Sequence, residues 1–204
     1  PVNDAPIAVL SNVSPNEDSV YTFTASDFQI SDAENDNFVS VDITGITLAS
    51  GDTLTVDQGA GPIAVTNGMT ITRAQVATMT YTPAADANGA SRSTFTFKAN
   101  DADVGTTTAT MNINVTPVND IPVAQASSIT TPEDRTKSFA VSDFLFADVE
   151  GDALVSIAVS GLTLANGDTL QVDQGAGLVS VVDGMTISAT QIATMVYAPA
   201  SNLS

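Results

Sequence analysis

The chain has 204 residues, 23 Asp and Glu against 5 Lys and Arg, a formal net charge of −18, and neither His nor Cys. That composition excludes a His-based catalytic triad and any His- or Cys-ligated zinc, and so acidic a surface repels nucleic acid and anionic membranes while attracting cations. A hydrophobic content of 43% excludes an acidic disordered tail, and no apolar run approaches the ~18 residues of a membrane span.

Taken in chain order, the elements are strands. Val39, Val41 and Ile43 alternate with Ser40, Asp42 and Thr44; Phe95 and Phe97 alternate with Thr94, Thr96 and Lys98; Met111, Ile113 and Val115 alternate with Asn112, Asn114 and Thr116. Period two with one apolar face marks a half-buried strand. Turn residues punctuate the strands at Asn35-Asp36, Ser50-Gly51, Gly59-Ala60-Gly61, Asn67-Gly68 and Asn88-Gly89. A single helical turn is expected at Thr72–Ala77. Asp52 and Asp57 flank a predicted hairpin, where turn capping is their expected role. The predicted core is Phe23, Val39, Val41, Leu54, Val56, Tyr81, Phe95, Phe97, Met111 and Ile113.

The chain then repeats itself. Pro1-Val2-Asn3-Asp4-Ala5-Pro6 returns as Pro117-Val118-Asn119-Asp120-Ile121-Pro122, and the offset of 116 holds without a gap to Ser204. Gly51–Gly61 falls on Gly167–Gly177, Tyr81 on Tyr197, and Pro83 on Pro199. Such self-similarity signals an array of modules. Residues 1–116 form the first repeat and 117–204 the second, which lacks its last two strands. The fold class is therefore all-β: an antiparallel sandwich or barrel, repeated in tandem with the second unit incomplete. A sandwich without those two strands exposes core and an unpaired edge. The chain is accordingly expected to be part of a longer polypeptide, or to have that edge covered by a neighbouring copy.

Carboxylates and amides gather in recurring places: the linkers Asn3-Asp4 and Asn119-Asp120; Glu17-Asp18 and Glu133-Asp134; the Asp-x-Glu-x-Asp loops Asp32, Glu34, Asp36 and Asp148, Glu150, Asp152; Asp101 and Asp103; and the isolated Asp86. Hard cations such as Ca²⁺ take six to eight oxygens, and alternate carboxylates in an irregular loop can converge on one ion. The loop is not an EF-hand: its sixth position is Asn37 or Ala153 where an EF-hand has Gly, and its twelfth is Ile43 or Val159 where an EF-hand has Glu.

The stretch Phe95–Pro122, with an Asp-containing loop, an alternating strand and the Val-Asn-Asp-x-Pro linker, resembles the end of a cadherin-like domain. With Glu17-Asp18, Ser26-Asp27-Phe28, Asp-x-Glu-x-Asp and Tyr81-Thr82-Pro83, the whole unit resembles the cadherin-like tandem repeats of giant secreted bacterial adhesins of RTX type. The resemblance implies tandem antiparallel β-sandwiches of cadherin or immunoglobulin type, with Ca²⁺ at the joint between successive domains. Glu17 and Asp86 would come from the upstream domain, Asn119 and Asp120 from the linker, and Asp148, Glu150 and Asp152 from the downstream loop. By the same mapping Asn3, Asp4, Asp32, Glu34, Asp36, Asp101 and Asp103 would serve a joint with a preceding domain.

The function expected is a non-catalytic, Ca²⁺-rigidified extender of a large cell-surface adhesin, secreted and extracellular. Its partners would be adjacent repeats of the same polypeptide, and neighbouring copies are further candidates. The alternative is a carbohydrate- or self-binding sandwich of an exported enzyme, surface layer or filament. Carboxylates that recur with the module, and a chain without Trp, give little support to a glycosidase site.

Overall fold

Alternating apolar residues on short, β-branched, Thr-rich segments produce strands throughout, and Gly, Asn and Asp turns keep them short. The computed structural model describes residues 4–101 and 108–201. The chain packs as two units, Pro1–Val118 and Asn119–Ser204.

Unit 1 contains β1 (Ile7–Ala8), β2 (Ser11–Val13), β3 (Tyr21–Thr22), β4 (Ile30–Ser31), β5 (Ser40–Thr47), β6 (Thr53–Asp57), β7 (Pro62–Ala64), β8 (Thr70–Thr72), β9 (Thr80–Thr82), β10 (Gly89–Asn100) and β11 (Ala109–Val115). One sheet runs β2-β11-β10-β5-β8 and the facing one β3-β9-β6-β7, with β1 and β4 as a small separate pair. This is an immunoglobulin-like sandwich. Its pairings are antiparallel except β2 with β11, which are parallel, Ser11 opposite Met111 and Val13 opposite Ile113. The helical turn α1 (Arg73–Val76) forms where the sequence places it. Thr72 and Gln75 cap it reciprocally, Thr72 Oγ1 accepting from the Gln75 amide and Gln75 Oε1 accepting from the Thr72 amide.

The longest strand, β10, supplies Phe95 and Phe97 to the space between the sheets. Phe97 meets Phe28 edge-on at 5.0 Å between ring centroids, and Phe95 meets Phe23 at 5.8 Å, geometries that add to the area they bury. Met111 and Ile113 on β11 complete the layer, all of these being buried. Nine of the ten predicted core residues are inside, and Val39 is the exception at 52% exposed. Phe38 is buried in its place, against Phe28 and beneath the Arg73 guanidinium. The alternation thus slips by one residue between Phe38 and Val41. Val39 spends its amide on the Asn100 carbonyl and its own carbonyl on the Arg73 amide, which fixes its backbone while its side chain faces out.

Asp52 also departs from expectation. It does not merely cap a turn; its side chain is buried beside the sheet interior. It accepts from the Tyr81 hydroxyl (2.5 Å), the Ser93 hydroxyl (2.7 Å), the Ala84 amide (2.9 Å) and the Arg92 guanidinium (2.9 Å). Burial alone would raise its pKa, but these donors outweigh it and hold the carboxyl below its usual range. The same burial, with the Asp52 charge alongside, pushes the Tyr81 hydroxyl up to about 12. Gly51 makes the approach possible: its φ is +84°, and a Cβ there would sit 2.8 Å from the Ala84 methyl. Asp57 does act as a turn cap, its Oδ1 accepting from the Gly59 and Gly61 amides.

Unit 2 contains β12 (Val123–Ala124), β13 (Lys137–Ser138), β14 (Phe146–Ala147), β15 (Ser156–Ala158), β16 (Thr169–Asp173), β17 (Leu178–Ser180), β18 (Thr186–Ser188) and β19 (Val196–Ala198), with the helical turn α2 (Ala189–Ile192) before β19. Its sheet β13-β19-β16-β17 reproduces β3-β9-β6-β7 strand for strand. The other sheet is reduced to β15 with β18, and the described residues include no counterparts of β10 and β11. Phe139, Phe144 and Leu154 are consequently only half-buried, where Phe23, Phe28 and Phe38 are buried. The corner recurs: Asp168 accepts from the Tyr197 hydroxyl and the Ala200 amide, with Gly167 against Ala200.

Asp52→Ala should lower the stability of unit 1 by about 3 kcal/mol, because it strands the Arg92 charge and the Tyr81 and Ser93 hydroxyls, a loss read from its transition in denaturant unfolding. The depressed Asp52 pKa means that its contribution is complete above pH ~4 and is lost as the pH falls through the lower folded-state value. Tyr81 behaves in the opposite sense, its contribution being complete below pH ~10 and lost as the pH rises through about 12. Tyrosinate absorbance of the folded chain should therefore lag that of the denatured chain between pH ~10 and ~12.

Candidate functional site

Each acidic loop is organised by its own first carboxylate. Asp32 Oδ1 accepts the amides of Glu34 (2.9 Å) and Asp36 (3.1 Å), and Asp148 Oδ1 accepts the amide of Asp152 (2.8 Å). The turn needs a left-handed residue at its third amide, which is Asn35 (φ 62°) in one unit and Gly151 (φ 77°) in the other, the two residue types that tolerate that region best. Glu34 and Glu150 point back along the chain. Glu34 Oε2 accepts the Asp4 amide (3.3 Å), and Glu150 Oε2 accepts the Asp120 amide (3.1 Å). The repeated linker aspartate is thus tied to the loop of the unit it leads into. Asp32 Oδ2 is buried with no hydrogen-bond partner, which leaves a carboxylate oxygen available to a cation.

At the far end of unit 1, the parallel pairing of β2 with β11 decides the geometry. It runs on through Asn16 beside Thr116, and the Glu17 amide donates to the Thr116 carbonyl. Glu17 therefore lies where the last strand leaves the unit. Its carboxylate, on a residue 1% exposed, accepts from the Asn88 side-chain amide (3.1 Å) and the Val118 backbone amide (2.8 Å). Beside it the Asp86 amide donates to Asp18 Oδ1 (3.1 Å). Both aspartates are exposed and take left-handed backbone, φ 57° at Asp18 and 54° at Asp86. Asn88 and the Asp18 contact with Asp86 escaped the sequence reading. Their only signal was adjacency to Glu17 and to the Asn88-Gly89 break.

The described site residues of unit 1 thus fall into two groups. Asp4, Asp32, Glu34 and Asp36 lie at the start, with Asp101 following the end of β10, whose Asn100 pairs with Ser40. Glu17 and Asp86 lie at the exit, where Gly89 opens β10 opposite Val115. The strand from Gly89 to Asn100 spans roughly 35 Å at ~3.3 Å per residue, so one unit does not bring the two groups together. In unit 2, Asp120, Asp148, Glu150 and Asp152 form the start group, and Asn119 donates its side-chain amide to the Asp120 carbonyl. Asn3 and Asp103 lie outside the described residues.

The immunoglobulin-like sandwich of unit 1 agrees with the comparison to known families, in which the bacterial Ig domain matches residues 3–114. The chain belongs to the bacterial Ig domain family. No curated protein matches it. This bacterial Ig domain has, among its described residues, no helix long and apolar enough to cross a membrane.

The loop carboxylates are exposed apart from the half-buried Asp32 and Asp148, and oxygen is the only donor type they offer, which suits a hard cation such as Ca²⁺. Asp32→Ala removes the acceptor for two amides. By the usual worth of such caps, ~1 kcal/mol, hydrogen exchange at Glu34 and Asp36 should accelerate about fivefold while exchange in β10 stays unchanged.

Proposed function

We propose that this bacterial Ig domain chain is a non-catalytic extender segment of a large secreted adhesin of the RTX type. It works outside the cell, with Ca²⁺ at the joint between successive units making the array stiff. The observation that supports this reading most is the polarity of the unit. Glu17, Asp18 and Asp86 gather where the chain leaves unit 1, and Asp120, Asp148 and Glu150 gather where it begins unit 2. Val118 and Asn119, consecutive residues, connect the two acidic ends. Without a cation, like charges on both sides of a short linker bracketed by prolines repel one another.

Glu17, Asp86, Asn119, Asp120, Asp148, Glu150 and Asp152 would hold the ion, with Asp18 added by its contact with Asp86. Bound Ca²⁺ supplies a positive charge that neutralises these carboxylates and cross-links the segments carrying them. The chain's own contribution is to hold the oxygens ready: the amides of Glu34, Asp36 and Asp152 fix the loop aspartates, and the Val118 amide fixes Glu17. Extracellular Ca²⁺ modules bind at ~10⁻⁴–10⁻³ M, so an ion at ten times Kd contributes roughly 1.4 kcal/mol. That is modest for folding and sufficient to select one interdomain arrangement.

Small-angle scattering should show a longer or narrower shape distribution on adding millimolar Ca²⁺. Asp120→Ala combined with Asp148→Ala should abolish that response while circular dichroism shows both units still folded. Identical scattering in Ca²⁺ and in chelator would overturn the extender reading.

A further inference from the structure

The chain contains three Asn-Gly pairs, Asn67-Gly68, Asn88-Gly89 and Asn166-Gly167. In such a pair the glycine nitrogen can attack the preceding side-chain amide, because no Cβ hinders the approach and the two groups are held within one short segment. We propose that Asn166 is a self-modification site. It closes onto Gly167 and deamidates, while the fold holds the other two pairs inert, and the isoaspartyl product loosens the Asp168 corner.

The three pairs do not differ in exposure, since Asn67, Asn88 and Asn166 are all exposed. They differ in what holds the reacting groups. The Gly68 amide donates to the Ile43 carbonyl (2.7 Å). The Asn88 side-chain amide donates to both oxygens of the Glu17 carboxylate (3.3 and 3.1 Å), and Gly89 is paired with Val115. In both pairs a bond must open before nitrogen and side-chain carbon can meet. Asn166 and Gly167, by contrast, are the middle of a turn closed by the Asp168 amide on the Ala165 carbonyl (3.0 Å). Gly167 has φ +90°, the backbone that a type II turn needs at its third position. The amide between the two middle residues takes no part in the closing bond. Among the described residues neither the Gly167 amide nor the Asn166 side chain has a hydrogen-bond partner.

The turn belongs to the repeat, and the reactive residue does not. Unit 1 builds the same turn at Ala49–Asp52, with its closing bond at 3.1 Å and Gly51 at φ +84°. Ser50, also exposed, stands there in place of Asn166. Serine has no amide to lose, so the turn of unit 1 is inert.

In the reaction the Gly167 nitrogen forms a bond to Cγ of Asn166 and the Cγ–Nδ2 bond breaks. Nδ2 leaves as ammonia, carrying the proton given up by the Gly167 nitrogen. Water then opens the succinimide. Cleavage of the new bond to Cγ leaves aspartate. Cleavage of the bond to the main-chain carbonyl leaves isoaspartate, in which the chain runs through Cγ and gains a methylene. Nothing is oxidised or reduced. The turn has no slack for that methylene. A Cβ on Gly167 would lie 2.8 Å from the Ala200 methyl, and Asp168 must still reach the Tyr197 hydroxyl and the Ala200 amide. The longer turn displaces Gly167 and Asp168 from these partners.

The test ages the 204-residue chain in warm, mildly alkaline buffer and follows each Asn-Gly pair by peptide mapping, with fragmentation that separates aspartate from isoaspartate. The site lies outside the acidic linkers and loops, so the outcome is independent of the Ca²⁺ reading. Asn166 should convert about tenfold faster than Asn67 or Asn88, the scale of a hydrogen bond that must open first. In denaturant the three should convert alike. Ser50→Asn should give unit 1 a site that converts at the pace of Asn166. In the NMR spectrum of the deamidated fraction the Tyr197 ring and Ala200 amide signals should move, whereas Asn166→Asp, which adds the charge without the methylene, should leave them in place. Equal conversion of the three pairs in the folded chain, or a selectivity that survives denaturant, would overturn the site. An inert Ser50→Asn would overturn the turn as its cause, and unmoved Tyr197 and Ala200 signals would overturn its effect on the corner.

Discussion

The central place of β10 in the five-stranded sheet, with its apolar side chains facing the other sheet, is the constraint on which the sandwich depends. Its Phe95 ring packs on Phe23 and Phe28 and its Phe97 ring on Phe28, its backbone joins β5 to β11, and its first residues deliver Arg92 and Ser93 to the Asp52 corner. Apolar packing, sheet hydrogen bonding and a buried charge are thus satisfied by one strand. Unit 2 shows what each of these terms secures separately. The four-stranded sheet forms with closely similar bonds, and its corner keeps the Tyr197 and Ala200 donors, since these partners are local to it. The facing sheet loses its middle, and half-buried aromatic residues mark the loss.

The acidic residues divide by what they do for the backbone. Asp52 belongs to the interior, where a carboxylate surrounded by donors stays ionised and ties strand ends together, and its repeat counterpart Asp168 is half-buried. Asp32, Asp57, Asp148 and Asp173 bind amides within their own turns. Asp4 and Asp120 are held through their amides by Glu34 and Glu150. Several of the 23 acidic residues are therefore fixed by backbone amides in turns, and the start and exit groups of unit 1 lie at its ends.

The parallel contact of β2 with β11 links fold to site. The pairing through Asn16 and Thr116 carries the first strand to the point where the last one exits, and that alone brings Glu17 onto the Val118 amide, 101 residues away in sequence. In an all-antiparallel arrangement the same Glu would sit at the opposite end of β11, far from the exit.

The sequence by itself determined the repeat, the strand class, the helical turn at Thr72–Ala77 and nine of the ten core positions, because each rests on local periodicity or on a residue type with one strong preference. It also determined which carboxylates recur. Only the tertiary structure decided that Val39 faces solvent and Phe38 the core, since a one-residue slip in a strand is set by the neighbours it must pair with. Only the tertiary structure separated Asp52 from Asp57, two aspartates in one short motif that read alike as turn caps. Asp57 finds its donors two and four residues along the chain. Asp52 finds them 29 to 41 residues away, and partners at that separation are brought together by sheet packing, which local sequence does not encode.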